Sequence, residues 1–189
     1  MCSTQGNNDV GLSLYGITTL MPWVKGRVSA VNSRNSDSVN IAIRRCMIDS
    51  FIGEYRWLSN FHLVSIEYEG LNYPSSENAY QAAKTLDHLT RIKFTNIGPK
   101  KAKELGSPKG IITPELMRPD WDTVKFNIMY DILSIKFADP ELKQKLLDTG
   151  DEELIEGNWW HDTIWGVCNG VGANHLGKIL MKIRSESRV

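Results

Sequence analysis

The chain has 189 residues, 41% hydrophobic and 23% charged, which suits one globular domain with a real core. Its 22 basic and 22 acidic residues cancel, which excludes a global field that would draw the protein to nucleic acid or a membrane. No apolar run reaches membrane-spanning length, no signal peptide is evident, and the scattered Cys2, Cys46 and Cys168 offer neither a C-x-x-C pair nor a disulfide framework, so a cytoplasmic protein is expected.

In chain order, residues 1–38 are rich in Gly, Asn and Ser and read as an N-terminal arm or extension, with the main domain over 39–189. From Val39, the alternation of Ile41 and Ile43, followed by Met47 and Ile48, predicts a strand. The stretch LVSIEYEGLNYPSSE predicts a second strand, a turn at Glu69-Gly70 and a short third strand stopped by Pro74. Helices then dominate. SSENAYQAAK opens the first, capped by Ser75 or Ser76. A second starts at Pro99 and ends at Gly106, placing Pro at a helix start and Gly past its end. A third begins near Asp120, with Val124, Ile128, Ile132 and Ile135 at helical spacing. A fourth runs from Pro140 to Gly150, and the last turns Leu176, Ile179, Leu180 and Ile183 to the core. Few strands and several helices in separate runs predict an α+β fold, mostly helical with a small sheet.

Two stretches carry the chemistry. At 100° per residue the first helix places Glu77, Tyr80, Gln81 and Lys84 on one face, with His88 one turn beyond, and Ala79, Ala82, Ala83 and Leu86 on the other. Residues 154–177, LIEGNWWHDTIWGVCNGVGANHLG, hold Trp159, Trp160 and Trp165 among five glycines, with Glu156, Asn158, His161, Asp162 and Asn174 between them. Glycine admits close approach of backbone to a ligand, and tryptophan offers a flat face to a base or sugar. The pattern alone is equally that of a loop plugging a small core. His62, His88, His161 and His175 show no metal-ligand spacing, and the glycines match neither a dinucleotide fingerprint nor a phosphate loop.

Five signatures in order, EYRWLSNF at 54–61, YPSSENAYQAAK at 73–84, Trp121 with Lys125, Lys136-Phe137, and a spaced motif from Glu156 to Arg184, resemble the NADAR family of YbiA-like N-glycosidases across residues 48–184. One position departs from the family pattern: Asn78 stands where a histidine is frequent. The resemblance implies a small α+β fold that cleaves N-glycosidic bonds of ribosylated heterocycles. Its substrates would be phosphoribosylated pyrimidine intermediates of riboflavin synthesis or ADP-ribosylated guanine in nucleic acid. Carried residue by residue, it implies Glu77 as main acid or base, Asp162 as second or ribose-orienting carboxylate, and Lys84 as a cation or imine-forming amine. Asn60, Phe61, Tyr80, Gln81, Trp121, Trp165, Gly166 and Asn174 would contact substrate. Such chemistry needs no metal and no cofactor. A non-catalytic ADP-ribose or NAD sensor stays open, as does a nucleic-acid module using the basic run from Lys100 to Lys109.

Overall fold

Glu69 and Gly70 both adopt positive φ, 47° and 77°, the backbone that a tight two-residue hairpin requires. They join β2 (Leu63–Tyr68) to β3 (Leu71–Ser75) in an antiparallel pair, with Ile66 opposite Tyr73 and Tyr68 opposite Leu71. β1 is the two-residue strand Met47–Ile48, and a 3-10 helix, Gly53–Leu58, lies between it and the hairpin. The computed structural model describes residues 47–188. The arm over 1–38, the boundary at 39 and most of the strand expected from Val39 fall outside them. β3 runs one residue past Pro74, which an edge strand tolerates because its N–H side needs no partner.

Ser75 ends β3 and caps α1 (Ser76–Ala82), its side chain accepting from the Asn78 N–H at 3.2 Å. Asn78 itself faces away from any pocket. Its amide donates to the Phe94 and Ile97 carbonyls at 2.8 Å each, and its oxygen accepts from the Ser75 hydroxyl at 2.6 Å. α1 ends before Lys84, shorter than the sequence suggests. The Lys84 carbonyl leaves the helix to accept from the Arg118 N–H, and Thr85 bridges to Met117. Leu86 is therefore exposed rather than in the core, and His88 starts a separate short helix, α2 (His88–Ile92), capped by Asp87.

α3 (Pro99–Leu105), α4 (Trp121–Lys136), α5 (Pro140–Asp148) and α6 (His175–Glu186) follow, α3 and α5 with the Pro starts and Gly stops that the sequence indicates. The core stripe of α4 is Ile128, Met129, Ile132 and Leu133, while Val124 is only partly buried and Ile135 is exposed. On α6 Leu176, Leu180 and Ile183 are buried. These side chains join Ile66, Tyr73, Ala79, Ala82, Phe94 and Phe137 in one apolar core between the hairpin and the helices. Each large aliphatic buried there stabilises the fold by about 1.5–3 kcal/mol.

Two short parallel pairings tie distant parts of the chain together. β1 lies beside β4 (Glu153–Leu154), and β5 (Gly157–Asn158) beside β6 (Val167–Cys168). Arg184, buried on α6, donates to the Thr149 hydroxyl at 2.6 Å and the Glu152 carbonyl at 2.9 Å, fixing the chain as it leaves α5. The result is the mixed α+β architecture expected, with its strands gathered into three two-stranded sheets.

Candidate active site

Every residue of α1 is buried, the polar face included. Glu77, Tyr80, Gln81 and Lys84 look not into water but into a cavity of about 870 Å³, a size suited to a nucleotide-like ligand. Other segments complete its wall. The turn after the 3-10 helix brings Asn60 and Phe61, α3 brings Lys100 and Lys103, one face of α4 brings Trp121, Lys125 and Met129, and the tryptophan-rich loop brings Glu156, Trp159, Trp160, Asp162 and Trp165.

Glu77 is held from both ends. Its backbone N–H donates to the Asn60 carbonyl at 3.0 Å, and its side chain accepts from the Gln81 amide at 2.8 Å. Burial pushes its carboxyl up, opposed by the Gln81 hydrogen bond and then by Lys103 and Lys84, while Asp162 adds to the rise. Gln81 is pressed into place by Gly106, where a Cβ would stand 2.0 Å from the Gln81 Oε1. Lys84 donates to the Gly106 carbonyl at 2.7 Å and lies 5.9 Å from the ring centres of both Tyr80 and Trp121. Burial lowers its pKa; Glu77 works against that and Lys103 with it.

Asp162 organises the loop. Its Oδ1 accepts the N–H groups of Ile164 at 3.1 Å and Trp165 at 2.8 Å, and Asn158 braces its backbone from both sides. The loop is further closed on itself by backbone bonds from Ala173 to Thr163, from Leu176 to Trp165 and from Val167 to Glu156. Trp165 stands edge-on to Tyr80 at 5.3 Å, and Tyr80 packs on Trp121 at 5.1 Å, which makes a continuous aromatic wall. At the mouth, the Lys103 ammonium lies 5.7 Å from the Phe61 ring centre and 5.4 Å from that of Trp160.

Nine of the eleven residues expected at the site line this one cavity: Asn60, Phe61, Glu77, Tyr80, Gln81, Lys84, Trp121, Asp162 and Trp165. Gly166 and Asn174 stand behind the wall instead, for a physical reason. A Cβ on Gly166 would lie 2.1 Å from the Glu156 carbonyl oxygen, so glycine there lets two backbones meet. Asn174 spends its side chain on backbone, accepting from the Glu156 N–H at 3.1 Å and donating to the Leu154 carbonyl at 2.8 Å. Both hold Glu156 in place.

Glu156 itself was missed, although it opens the motif that runs to Arg184. Burial raises its pKa to about 7, helped by Asp162 and Glu77 and opposed by Lys103 and Lys136. Lys136 is also fully buried. Its ammonium donates to the Ser59 carbonyl at 2.8 Å, and burial lowers its pKa to about 7 against the pull of Glu156. Three pocket residues carry a buried polar atom with no partner: Asn60 Oδ1, Gln81 Oε1 and Glu156 Oε2. Buried polar atoms are normally paired, so three orphans around one cavity indicate where a polar ligand completes the bonding. Among the described residues no cluster of His, Cys, Asp or Glu has metal-binding geometry, and no helix is long and apolar enough to cross a membrane.

Fold and site together define a mixed α/β domain with a preformed, aromatic-walled pocket bearing four carboxyl groups, Glu77, Glu104, Glu156 and Asp162, and four lysines. The NADAR domain model matches residues 50–188, and the chain belongs to the NADAR family. It is 35% identical over 136 residues to N-glycosidase Npun_R5314 of Nostoc punctiforme, covering 71% of this chain and 86% of that one. It is also 35% identical over 143 residues to the chloroplastic riboflavin biosynthesis protein PYRR of Zea mays, covering 68% of this chain but only 23% of the maize protein. The NMR structure of the E. coli protein YbiA superposes with a TM-score of 0.65 at 32% identity, over 75% of this chain and 84% of that one.

Proposed function

We infer that this chain is an N-glycosidase that hydrolyses the bond between ribose C1′ and a heterocycle nitrogen, acting in the cytoplasm on a substrate that carries phosphate. The observation that carries the reading is the meeting of Glu77, Glu156 and Asp162 with unpartnered polar atoms inside one aromatic-walled cavity. Breaking the bond leaves positive charge on the ribose ring and an electron pair on nitrogen. Carboxylates stabilise the first, and a carboxylic acid supplies the proton for the second. Glu77, positioned from backbone and side chain, is the principal acid or base. Asp162 has one oxygen committed to the loop, which suits it to orient the ribose hydroxyls with the other. The aromatic wall of Trp165, Tyr80 and Trp121 gives the base a stacking surface, and Lys84, Lys100, Lys103 and Lys125 give phosphates their counter-charge.

Lys84 also has the half-desolvated environment in which an amine attacks C1′ to form an imine. Borohydride trapping followed by peptide mass analysis tests this, and no adduct on Lys84 removes the covalent route. Two substrates compete. A phosphoribosylated aminopyrimidine needs only a small-molecule pocket and agrees with the names of the riboflavin relatives. ADP-ribosylated guanine in a strand would use the lysines at the mouth as well. A mass-resolved hydrolysis assay that offers both to wild type and Glu77→Gln decides. Release of one free base with its sugar partner, reduced by roughly 10²–10⁴-fold in the variant, supports the reading and names the substrate. Release from neither sinks it in favour of a binding module.

A further inference from the structure

Glu156 is a buried carboxyl in the cavity to which no task has been given, and its surroundings differ from those of Glu77 and Asp162. Glu77 accepts a hydrogen bond from Gln81, and Asp162 accepts two from backbone N–H groups. Each of these carboxyls thus has a donor, although burial still raises that of Glu77. The Oε2 of Glu156 is sealed from solvent and has no donor at all. The placement is nonetheless rigid. The Glu156 N–H is bound by Asn174, its carbonyl accepts the Val167 N–H at 2.9 Å, and Gly166 clears the space that makes this approach possible. A cavity-lining carboxyl on so fixed a backbone, with one oxygen left without a donor, is suited to hold a proton rather than a charge.

We propose that Glu156 is the general acid of the reaction, handing its proton to the leaving nitrogen while the Glu77 carboxylate serves the attacking water. The inference rests on the glycosidase reading above. As the bond from C1′ to nitrogen breaks, its electron pair goes to nitrogen, which takes the Glu156 proton and departs as a neutral N–H heterocycle. A water oxygen bonds to C1′ and gives one proton to Glu77, and exchange with solvent returns both carboxyls to their starting states. The groups facing Glu156 bear on its holding a proton. Asp162 from the loop and Glu77 from α1 disfavour its anion, while Lys103 from α3 and Lys136 from α4 oppose them without a direct hydrogen bond. Burial remains the largest influence and keeps the carboxyl protonated up to about pH 7.

The test uses the full chain as wild type, Glu156→Gln and Glu156→Asp, with kcat/KM measured across roughly pH 5 to 9. Two substrates are compared. One is whichever ribosylated base the hydrolysis assay identifies, whose leaving nitrogen needs a proton. The other is an N-ribosyl pyridinium with the same phosphate, whose leaving group departs as neutral pyridine without one. Expected for Glu156→Gln is a loss of roughly 10²–10⁴-fold on the first substrate, disappearance of the alkaline limb, and turnover of the pyridinium within a few-fold of wild type. Glu156→Asp keeps the alkaline limb at a reduced rate, which preserves the test should the amide variant fold poorly. Equal losses on both substrates, or an alkaline limb that survives in Glu156→Gln, overturn the assignment while leaving the glycosidase reading intact. Failure of wild type to turn over either substrate removes both.

Discussion

Asn174 separates a scaffold role from a substrate contact, because the residue looks like a binding group in the sequence and a strut in the fold. Replacing it with Ala strands two buried backbone groups, the Glu156 N–H and the Leu154 carbonyl. Each loses about 1–3 kcal/mol when left unpaired. Asn174 also sits at φ 51°, ψ 44°, a left-handed conformation that Asn tolerates and that costs Ala about 1 kcal/mol more. The sum is about 3–7 kcal/mol, which for a domain of this size lowers Tm by about 10–20 °C. Asn174→Gly removes the same hydrogen bonds but relieves the backbone, so it should melt about 4 °C above Asn174→Ala. Differential scanning calorimetry of the three proteins gives the stability arm. Steady-state kinetics well below the melting range gives the other, with KM near wild type and kcat reduced through a displaced Glu156. A Tm within about 2 °C of wild type together with a KM raised tenfold would refute this reasoning and return Asn174 to the ligand.

Gln81→Leu withdraws the hydrogen bond that favours the Glu77 carboxylate, so the Glu77 pKa rises and the acid limb of the rate profile moves to higher pH; a stationary limb removes Glu77 as the base. Lys136 drops its proton near pH 7 when folded but near its ordinary 10.5 when unfolded. The unfolded chain therefore holds more protons across that window, and the Lys136 contribution makes the domain more stable as pH rises through it. Lys136→Met should flatten this rise in urea midpoints measured at either end of the window, and an unchanged slope would show that Lys136 stays charged. Trp165→Leu should raise KM roughly tenfold and weaken product inhibition by the free base in parallel. An unaltered inhibition constant would place the stacked base elsewhere on the wall.

The helices were legible wherever a local signal marks an end: Pro99 and Gly106, Pro140, and the Ser75 cap that turns a strand into a helix. α2 escaped notice because five residues are too few for a period, and its cap, Asp87, looked like the continuation of α1. β1 falls within the strand read from Val39, but its pairing with β4, and β5 with β6, were beyond reach for a related reason. Two-residue strands have no alternation, and the β1 residue Met47 pairs with Glu153, more than a hundred positions away. At the site, helix spacing puts Glu77, Tyr80, Gln81 and Lys84 on one face, and the family resemblance is what marked that face as a site. Glu156 was not found, since its chemistry comes from an oxygen without a donor, and burial of a single atom leaves no trace in the residue string. Gly166 and Asn174 show the converse. Their residue types suit a ligand, but close backbone packing and orphan carbonyls recruit the same types.

The tryptophan loop bears on how a ligand arrives. Its backbone is stitched to itself through Thr163, Trp165, Glu156 and Ala173, and to α6 through Asn174. Swinging it aside would break those bonds together, so it behaves as masonry rather than as a door. Entry past the cavity-lining Phe61, Lys103 and Trp160 would then need no swing of this loop. Stopped-flow binding should rise linearly with ligand concentration, without the plateau that a slow opening step imposes, and an anionic ligand should associate more slowly as salt screens the lysines.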